Sequence, residues 1–205
     1  MTVSAAFLVK DPPVDRLALL LEYLRPVVSE FCFAVDERTL SENISWLFEE
    51  SDVHIKIIPW KDDFSWARNQ GLELVTGDWT LILDPDELPS AWMLSHIRWV
   101  DMYGDSAHLG PETLGFLYWT KNFYDGRLYP DDPKYWHCRL FRSGHGRFYK
   151  KLHEQVELDG LPEHVTRGTP KLTFAPREAY LIHSKTKEDY NKSVDLQAHL
   201  GEVSM

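Results

Sequence analysis

The sequence predicts an α/β fold with a mostly parallel, Rossmann-like sheet flanked by helices, followed by an aromatic-rich α+β extension. Three observations carry this. Four strand-length segments dense in apolar, β-branched or aromatic residues punctuate the first 85 positions: Ala5–Val9, Phe31–Val35, His54–Ile58 and Trp79–Leu83. Three of them are nearly continuous rather than alternating, which suits strands buried on both faces of a parallel sheet. Helical signals occupy every interval between them, so the order reads β-α-β-α-β-α-β and implies right-handed crossovers.

The elements follow in order. After the first strand, Leu17, Leu20, Leu21, Leu24 and Val28 recur at spacings of three and four. They form one apolar helical stripe behind Asp15 or the Pro12-Pro13 turn, and Pro26 ends or kinks it. Between the second and third strands, Ser41 with Ile44, Leu47 and Phe48 predicts a short capped helix. Between the third and fourth, a helix over Ser65 to Val75 closes near Gly77, with Ser65 as its cap. Beyond residue 88 the pattern changes to a helix from Pro89 to Tyr103, an aromatic strand region, and a final polar helix from about Thr186. That last helix mixes both charge signs, as a solvated or dimer-contacting surface would. Eleven of the 27 aromatic residues fall between Phe116 and Tyr149. They either pack an α+β core or, through Trp119, Tyr124, Tyr135 or Trp136, form a platform for a sugar. With no Gly/Ser-rich linker and no internal repeat, residues 1–205 read as one domain.

Composition narrows the function classes. Lys plus Arg total 22 against 32 for Asp plus Glu, a net charge of −10, which argues against a broad duplex-binding surface. The longest unbroken apolar stretches are about five residues, far short of the roughly 18 that a membrane span needs. No basic segment precedes an apolar core at the N-terminus, and Cys32 and Cys138 make no disulfide framework. A cytoplasmic location is the expectation. Phosphate-binding and nucleophile-turn glycine motifs are absent, as are paired C-x-x-C zinc motifs.

The most informative string is Trp79-Thr-Leu-Ile-Leu-Asp84-Pro85-Asp86-Glu87, an apolar strand ending in three carboxylates within four positions. Repulsion and desolvation disfavour such a cluster unless a cation or hydrogen-bond donors compensate. In an open α/β sheet the ligand crevice lies beyond the carboxyl ends of the strands. Hard oxygen ligands there suit Mg²⁺ or Mn²⁺, which neutralise a diphosphate.

The run Trp60-Lys-Asp-Asp63-Phe64-Ser-Trp-Ala67-Arg68-Asn69, then Gly77-Asp-Trp79 and Leu83-Asp84-Pro-Asp86-Glu87, resembles the signature of family 2 glycosyltransferases of the GT-A fold. That subgroup reads W-x-D-D-F-x-x-A-R-N and L-D-x-D-E. Arg139-Leu-Phe-Arg142 and His153-Glu154 resemble later segments of it. The resemblance implies a metal-dependent, inverting transfer of a sugar from a nucleotide diphosphate sugar, a UDP-sugar first, to a hydroxyl acceptor. Residues 1–88 would form the nucleotide-sugar half and residues 89–205 the acceptor half. Saccharide, lipid-linked, protein and modified-base acceptors stay open. A catalytically inactive nucleotide- or saccharide-binding module is the alternative, and a nucleotidyltransferase or pyrophosphohydrolase a third reading.

Laid over the residues, the resemblance gives Asp36 contacts to base or ribose, although Val35-Asp36-Glu37-Arg38-Thr39 lacks the family's glycine turn. Asp63 is a second base-contacting acid or, equally, a helix N-terminal charge. Arg68 and Asn69 face the same crevice if Ser65 caps the helix, and Arg68 then meets the diphosphate. Asp84 holds ribose or a metal-bound water and Asp86 ligates the metal; His153 and His183 are both candidates for metal or phosphate contact, with His183 taken to complete the shell. Glu154 is the first choice of general base, with Asp131 or Asp132 as alternatives.

Overall fold

The computed structural model describes residues 1–104, 109–128 and 136–185. In chain order the elements are β1 (Val3–Val9), α1 (Val14–Leu24), β2 (Glu30–Asp36), α2 (Ser41–Ile44) running into a 3₁₀ turn over Ser45–Glu49, β3 (Val53–Ile58), α3 (Phe64–Leu72) and β4 (Trp79–Leu83). Then come β5 (Glu87–Pro89), α4 (Ala91–Tyr103), β6 (Gly115–Tyr124), β7 (Arg127–Leu128), β8 (Trp136–Arg142), β9 (Gly146–Tyr149) and β10 (Gln155–Leu158). The last are β11 (Leu161–Pro162), α5 (Glu163–Thr166), β12 (Leu172–Phe174) and β13 (Tyr180–Lys185). The proposed final helix from Thr186, and Tyr135, Asp131 and Asp132, lie outside the described residues.

The four strands expected from the sequence are β1 to β4, and they pair in parallel as β3-β2-β1-β4. The main sheet continues β8-β6-β13-β5, with β8 antiparallel to both β4 and β6, β13 parallel to β6 and β5 antiparallel to β13. Successive side chains of a strand point to opposite faces, and here both faces are covered. Ala5, Phe7 and Val9 of β1 join Leu17, Leu20, Leu21 and Leu24 of α1 in one core. Ala6, Cys32 and Ile82 meet Phe141, Phe148 and Val156 in a second. Phe7 and Phe33 stack at 5.0 Å between ring centroids, an aromatic contact worth about 0.5–1.5 kcal/mol beyond its buried area.

Several boundaries differ from the sequence reading. Helix α1 starts after Pro13, whose carbonyl accepts the Leu17 N–H at 2.9 Å, and ends before Val28, which is buried beyond the helix. The cap of α2 is Leu40, with no side-chain bond, so Ser41 is the first helical residue and not its cap. Helix α4 begins at Ala91, because Pro89 belongs to β5 and the Ser90 hydroxyl accepts the Met93 N–H. At the amino ends of the strands, buried Glu30 accepts from Ser4 Oγ (2.6 Å), Thr76 N (2.6 Å) and Thr76 Oγ1 (2.8 Å), tying β1 and β2 to the segment entering β4. Gly77 is required there: a Cβ on it would stand 2.5 Å from Ser4 Oγ. Among the described residues no helix is long and apolar enough to cross a membrane.

Candidate active site

The site begins with the cap of α3. Asp63, not Ser65, caps the helix: its carboxylate accepts the Trp66 N–H at 2.8 Å. The preceding Asp62 has φ 53° and accepts the Trp60 indole N–H at 2.7 Å, which fixes that ring beside Phe64, edge to face at 4.8 Å. The Phe64 N–H donates to Lys151 O at 2.9 Å and the Ser65 hydroxyl to Lys150 O. The loop after β9 is therefore clamped to the start of α3. Lys150 (φ 71°) and His153 (φ 51°) bend that loop back, and it delivers Glu154 to the face of α3 that carries Arg68.

Arg68 is the hub. It is one-tenth exposed and donates through Nη2 to Asp84 Oδ1 at 2.7 Å and through Nε to Glu154 Oε1 at 2.6 Å. Asp84 lies just past β4, and Arg139 of β8 approaches its other oxygen at 4.0 Å. Arg139 also donates to buried Glu87 Oε1 at 2.5 Å, and Glu87 Oε2 accepts the Asp84 N–H at 3.0 Å, which pins the turn over residues 84–87. Burial works against the Asp84 charge, but Arg68 and then Arg139 outweigh it and hold the carboxyl well below the usual carboxylate range. Burial, with repulsion from Asp84, pushes Glu87 up to about 7 against the pull of Arg139.

Asp86, one residue on, faces a different partner. Its Oδ2 lies 2.9 Å from His183 Nε2 on β13, and the other ring nitrogen lies 2.9 Å from Asn122 Oδ1 on β6. The Asp86 carbonyl accepts from Arg16 of α1 at 2.6 Å. Among the described residues no three of His, Cys, Asp and Glu are arranged to hold a metal ion together. Asp84 faces guanidinium groups instead of completing such a set with Asp86 and His183. The 2.9 Å contact between Asp86 and His183 has the length of a hydrogen bond, and the pair offers a cation two donor atoms, one oxygen and one nitrogen. An oxygen with an imidazole nitrogen suits Mn²⁺ better than Mg²⁺, which favours oxygen alone.

Beyond the ends of β1 and β2, a cleft of about 400 Å³ is lined by Leu8, Val9, Lys10, Asp36, Arg38, Trp60, Asp62, Phe64, Arg68 and Asp84. It brings Asp36, Arg68 and Asp84 together. Asp36 is 2% exposed and accepts from the Arg38 N–H at 2.9 Å and from its guanidinium through both oxygens. Those bonds hold its carboxyl below the usual range. Arg38 reaches over Trp60 at 5.7 Å. Sequence reasoning left out Arg38 and Lys10, and only the string Val35-Asp36-Glu37-Arg38, in place of a glycine turn, hinted at the first.

Two further residues stand elsewhere. Asp63 and Asn69 line a separate groove of about 890 Å³ between α3 and β9. Asn69 donates to Phe148 O at 3.0 Å and accepts the Phe148 N–H at 2.9 Å, bonding as a strand residue would. As neighbours about 100° apart on the helix, Arg68 lies on the cleft side and Asn69 against β9. A smaller pocket of about 120 Å³ touches the far side of Arg68 and Asp84, with Glu154, His137, Arg139 and Glu163 on its wall. Burial, then Arg139, lowers His137 to about 4, so that imidazole is neutral. Trp119 and Trp136 pack on one another and on Tyr180 and Phe174 in a partly exposed cluster, with Phe174 49% exposed.

In an α/β sheet the crevice beyond the parallel strand ends is where ligands bind, and here it gathers acids and an arginine. Residues 37–107 match the family model Glycosyl transferase family 2. This family 2 segment covers about a third of the chain and contains Asp63, Arg68, Asp84 and Asp86. The SPbeta prophage-derived glycosyltransferase SunS of Bacillus subtilis is 32% identical over 105 residues, which is 51% of this chain and 23% of SunS. The chain thus matches about a quarter of that relative's length. Among solved structures, S. aureus TarS 1-349 in complex with UDP superposes with a TM-score of 0.55 at 12% identity, over 98% of this chain and 65% of TarS. Its complex with UDP-GlcNAc gives 0.58 at 14%, over 90% and 59%. At that identity the likeness speaks to architecture, and the architecture is the GT-A fold.

Proposed function

We propose that this chain is the catalytic domain of a metal-dependent, inverting glycosyltransferase that moves a sugar from a UDP-sugar to a hydroxyl acceptor. The observation that carries the proposal is Arg68, which binds Asp84 at the donor cleft on one side and Glu154 at the adjoining pocket on the other. The family 2 match and the likeness to structures bound to UDP and UDP-GlcNAc support a uridine nucleotide in that cleft. In this reading Asp36 accepts hydrogen bonds from base or ribose, Trp60 offers a flat face, and Asp84 meets the ribose.

Asp86 and His183 would hold Mn²⁺, which supplies positive charge to the departing diphosphate. Glu154 takes the proton from the acceptor hydroxyl as that oxygen attacks the anomeric carbon opposite the leaving group. Arg68 keeps Glu154 and Asp84 in one frame, so donor and base stay aligned. Residues 89–205 supply the acceptor side.

Turnover across UDP-sugars with Mn²⁺, read as UDP release with and without saccharide acceptors, tests this. Expected is release with at least one donor, falling about 10²-fold or more in Glu154→Gln, the usual contribution of a general base. UDP binding without release from any donor would instead identify a binding module.

A further inference from the structure

The turn that leaves β2 is built around its own arginine. The Thr39 N–H donates to the Asp36 carbonyl and the Arg38 N–H to Asp36 Oδ1, each at 2.9 Å, so main chain and carboxylate together fold residues 36–39. The Arg38 side chain then turns back onto the same carboxylate, Nε meeting both oxygens and Nη2 meeting Oδ2. Asp36 is buried, whereas the Arg38 side chain is 50% exposed on the wall of the donor cleft, its guanidinium 5.7 Å from the Trp60 ring. We propose that Arg38, braced by Asp36, reads the nucleotide base: its guanidinium donates to the C4 carbonyl oxygen of uracil and so selects a uridine over a cytidine nucleotide. The inference rests on the nucleotide reading above and adds to it the residue that chooses the base.

A count of donors and a position in the sheet carry this. A guanidinium has five N–H donors and no acceptor. Arg38 commits its Nε hydrogen and one on Nη2 to Asp36, and the other three have no partner among the described residues. A carboxylate offers about four acceptor sites, so Asp36, having accepted three N–H groups, keeps one for the nucleotide. Uracil presents a carbonyl oxygen at C4, where cytosine presents an amino group that only donates. Donor therefore meets acceptor with uracil and meets another donor with cytosine. Position favours the base over the diphosphate as the group that Arg38 meets. Strand β1 lies between β2 and β4, so the ends of β2 and β4 stand two strand spacings apart, about 10 Å. A nucleotide whose diphosphate lies toward Asp86, just past β4, brings its base to Arg38.

Calorimetric titration of UDP and of CDP into the intact chain, with no divalent cation added, tests this apart from the metal reading. The two ligands carry the same diphosphate, so a purely electrostatic role for Arg38 shifts both affinities equally and leaves their ratio unchanged. Wild type is expected to prefer UDP by at least about 10-fold, the discrimination of one good base contact. Arg38→Met keeps the aliphatic stem, and Arg38→Lys keeps a charge beside Asp36 without the planar fork that can serve carboxylate and base at once. Both are expected to bring the ratio to within about threefold, because the contact that tells the bases apart is gone. Equal affinities in wild type overturn the inference whether or not either variant folds, and leave the nucleotide reading standing. A preference for UDP that persists unchanged in either folded variant also overturns it, since another residue then reads the base. If wild type binds neither ligand, the nucleotide reading itself fails and the role of Arg38 falls with it.

Discussion

Replacing Arg68 by methionine keeps most of the side-chain volume and removes the charge that Asp84 and Glu154 share. Glu154 is 16% exposed and Asp84 33%, and each meets the Arg68 guanidinium at 2.7 Å or less. Breaking a buried pair from one side costs about 3–5 kcal/mol, because a carboxylate is left desolvated and unpaired. Two carboxylates are stranded here, but Asp84 keeps Arg139 at 4.0 Å and some water, so a loss of about 3 kcal/mol is the reasoned value. For a chain of this size that lowers Tm by about 6–12 °C. The loss depends on pH in a definite direction. Asp84 has a folded pKa depressed by Arg68 and Arg139, so its ionisation stabilises the fold above the unfolded carboxylate value, and that contribution disappears as pH falls through the depressed one. Without Arg68 most of it is already missing at neutral pH, and the wild-type and Arg68→Met stability curves should converge in acid. Urea unfolding across pH reads this directly. A loss under about 1 kcal/mol at pH 7, or curves that stay parallel into acid, would show that water already solvates these charges and that Arg68 is no hub.

Asn69→Leu should cost about 2 kcal/mol in urea unfolding by leaving the Phe148 N–H and carbonyl unpaired, with UDP affinity unchanged; a weakened affinity alone would place Asn69 in the donor site. Trp60→Ala should weaken UDP binding by about 1–3 kcal/mol in calorimetry if the base stacks there, and an unchanged Kd removes that ring from recognition. Hydrogen bonds from Ser4 and Thr76 outweigh burial and lower the Glu30 pKa, so its stabilisation holds above the ordinary glutamate value and is lost in acid. Glu30→Gln should therefore flatten the acid limb of the stability profile, and an unchanged limb contradicts this.

What could be read in the sequence follows the range of each interaction. Strands β1 to β4 are local apolar runs, each bounded by turn residues, and their order alone determines a parallel sheet. The acids past β4 were equally legible, since a strand end is a fixed place for a ligand. The cap of α3 was misread because Asp63 and Ser65 are both good capping residues two positions apart, and only the backbone decides between them. Consecutive helix residues point about 100° apart, and so Arg68 meets Asp84 while Asn69 binds β9. The three-residue strand β5 carries no period, and its pairing with β13 joins Asp86 to His183 across 97 positions. Asn122 had no signal at all: an asparagine in an aromatic strand acquires meaning only from the register of β6 on β13.

In the proposed function a uridine diphosphate sits in the cleft beyond β1 and β2, and a divalent cation at Asp86 strengthens its binding. Calorimetric titration of UDP into the intact chain, with and without Mn²⁺, for wild type and Asp86→Ala, tests it most directly. One saturable site is predicted, tightened by Mn²⁺ in wild type and insensitive to Mn²⁺ in Asp86→Ala. Absence of UDP binding, or an equal response to Mn²⁺ in both proteins, would contradict it.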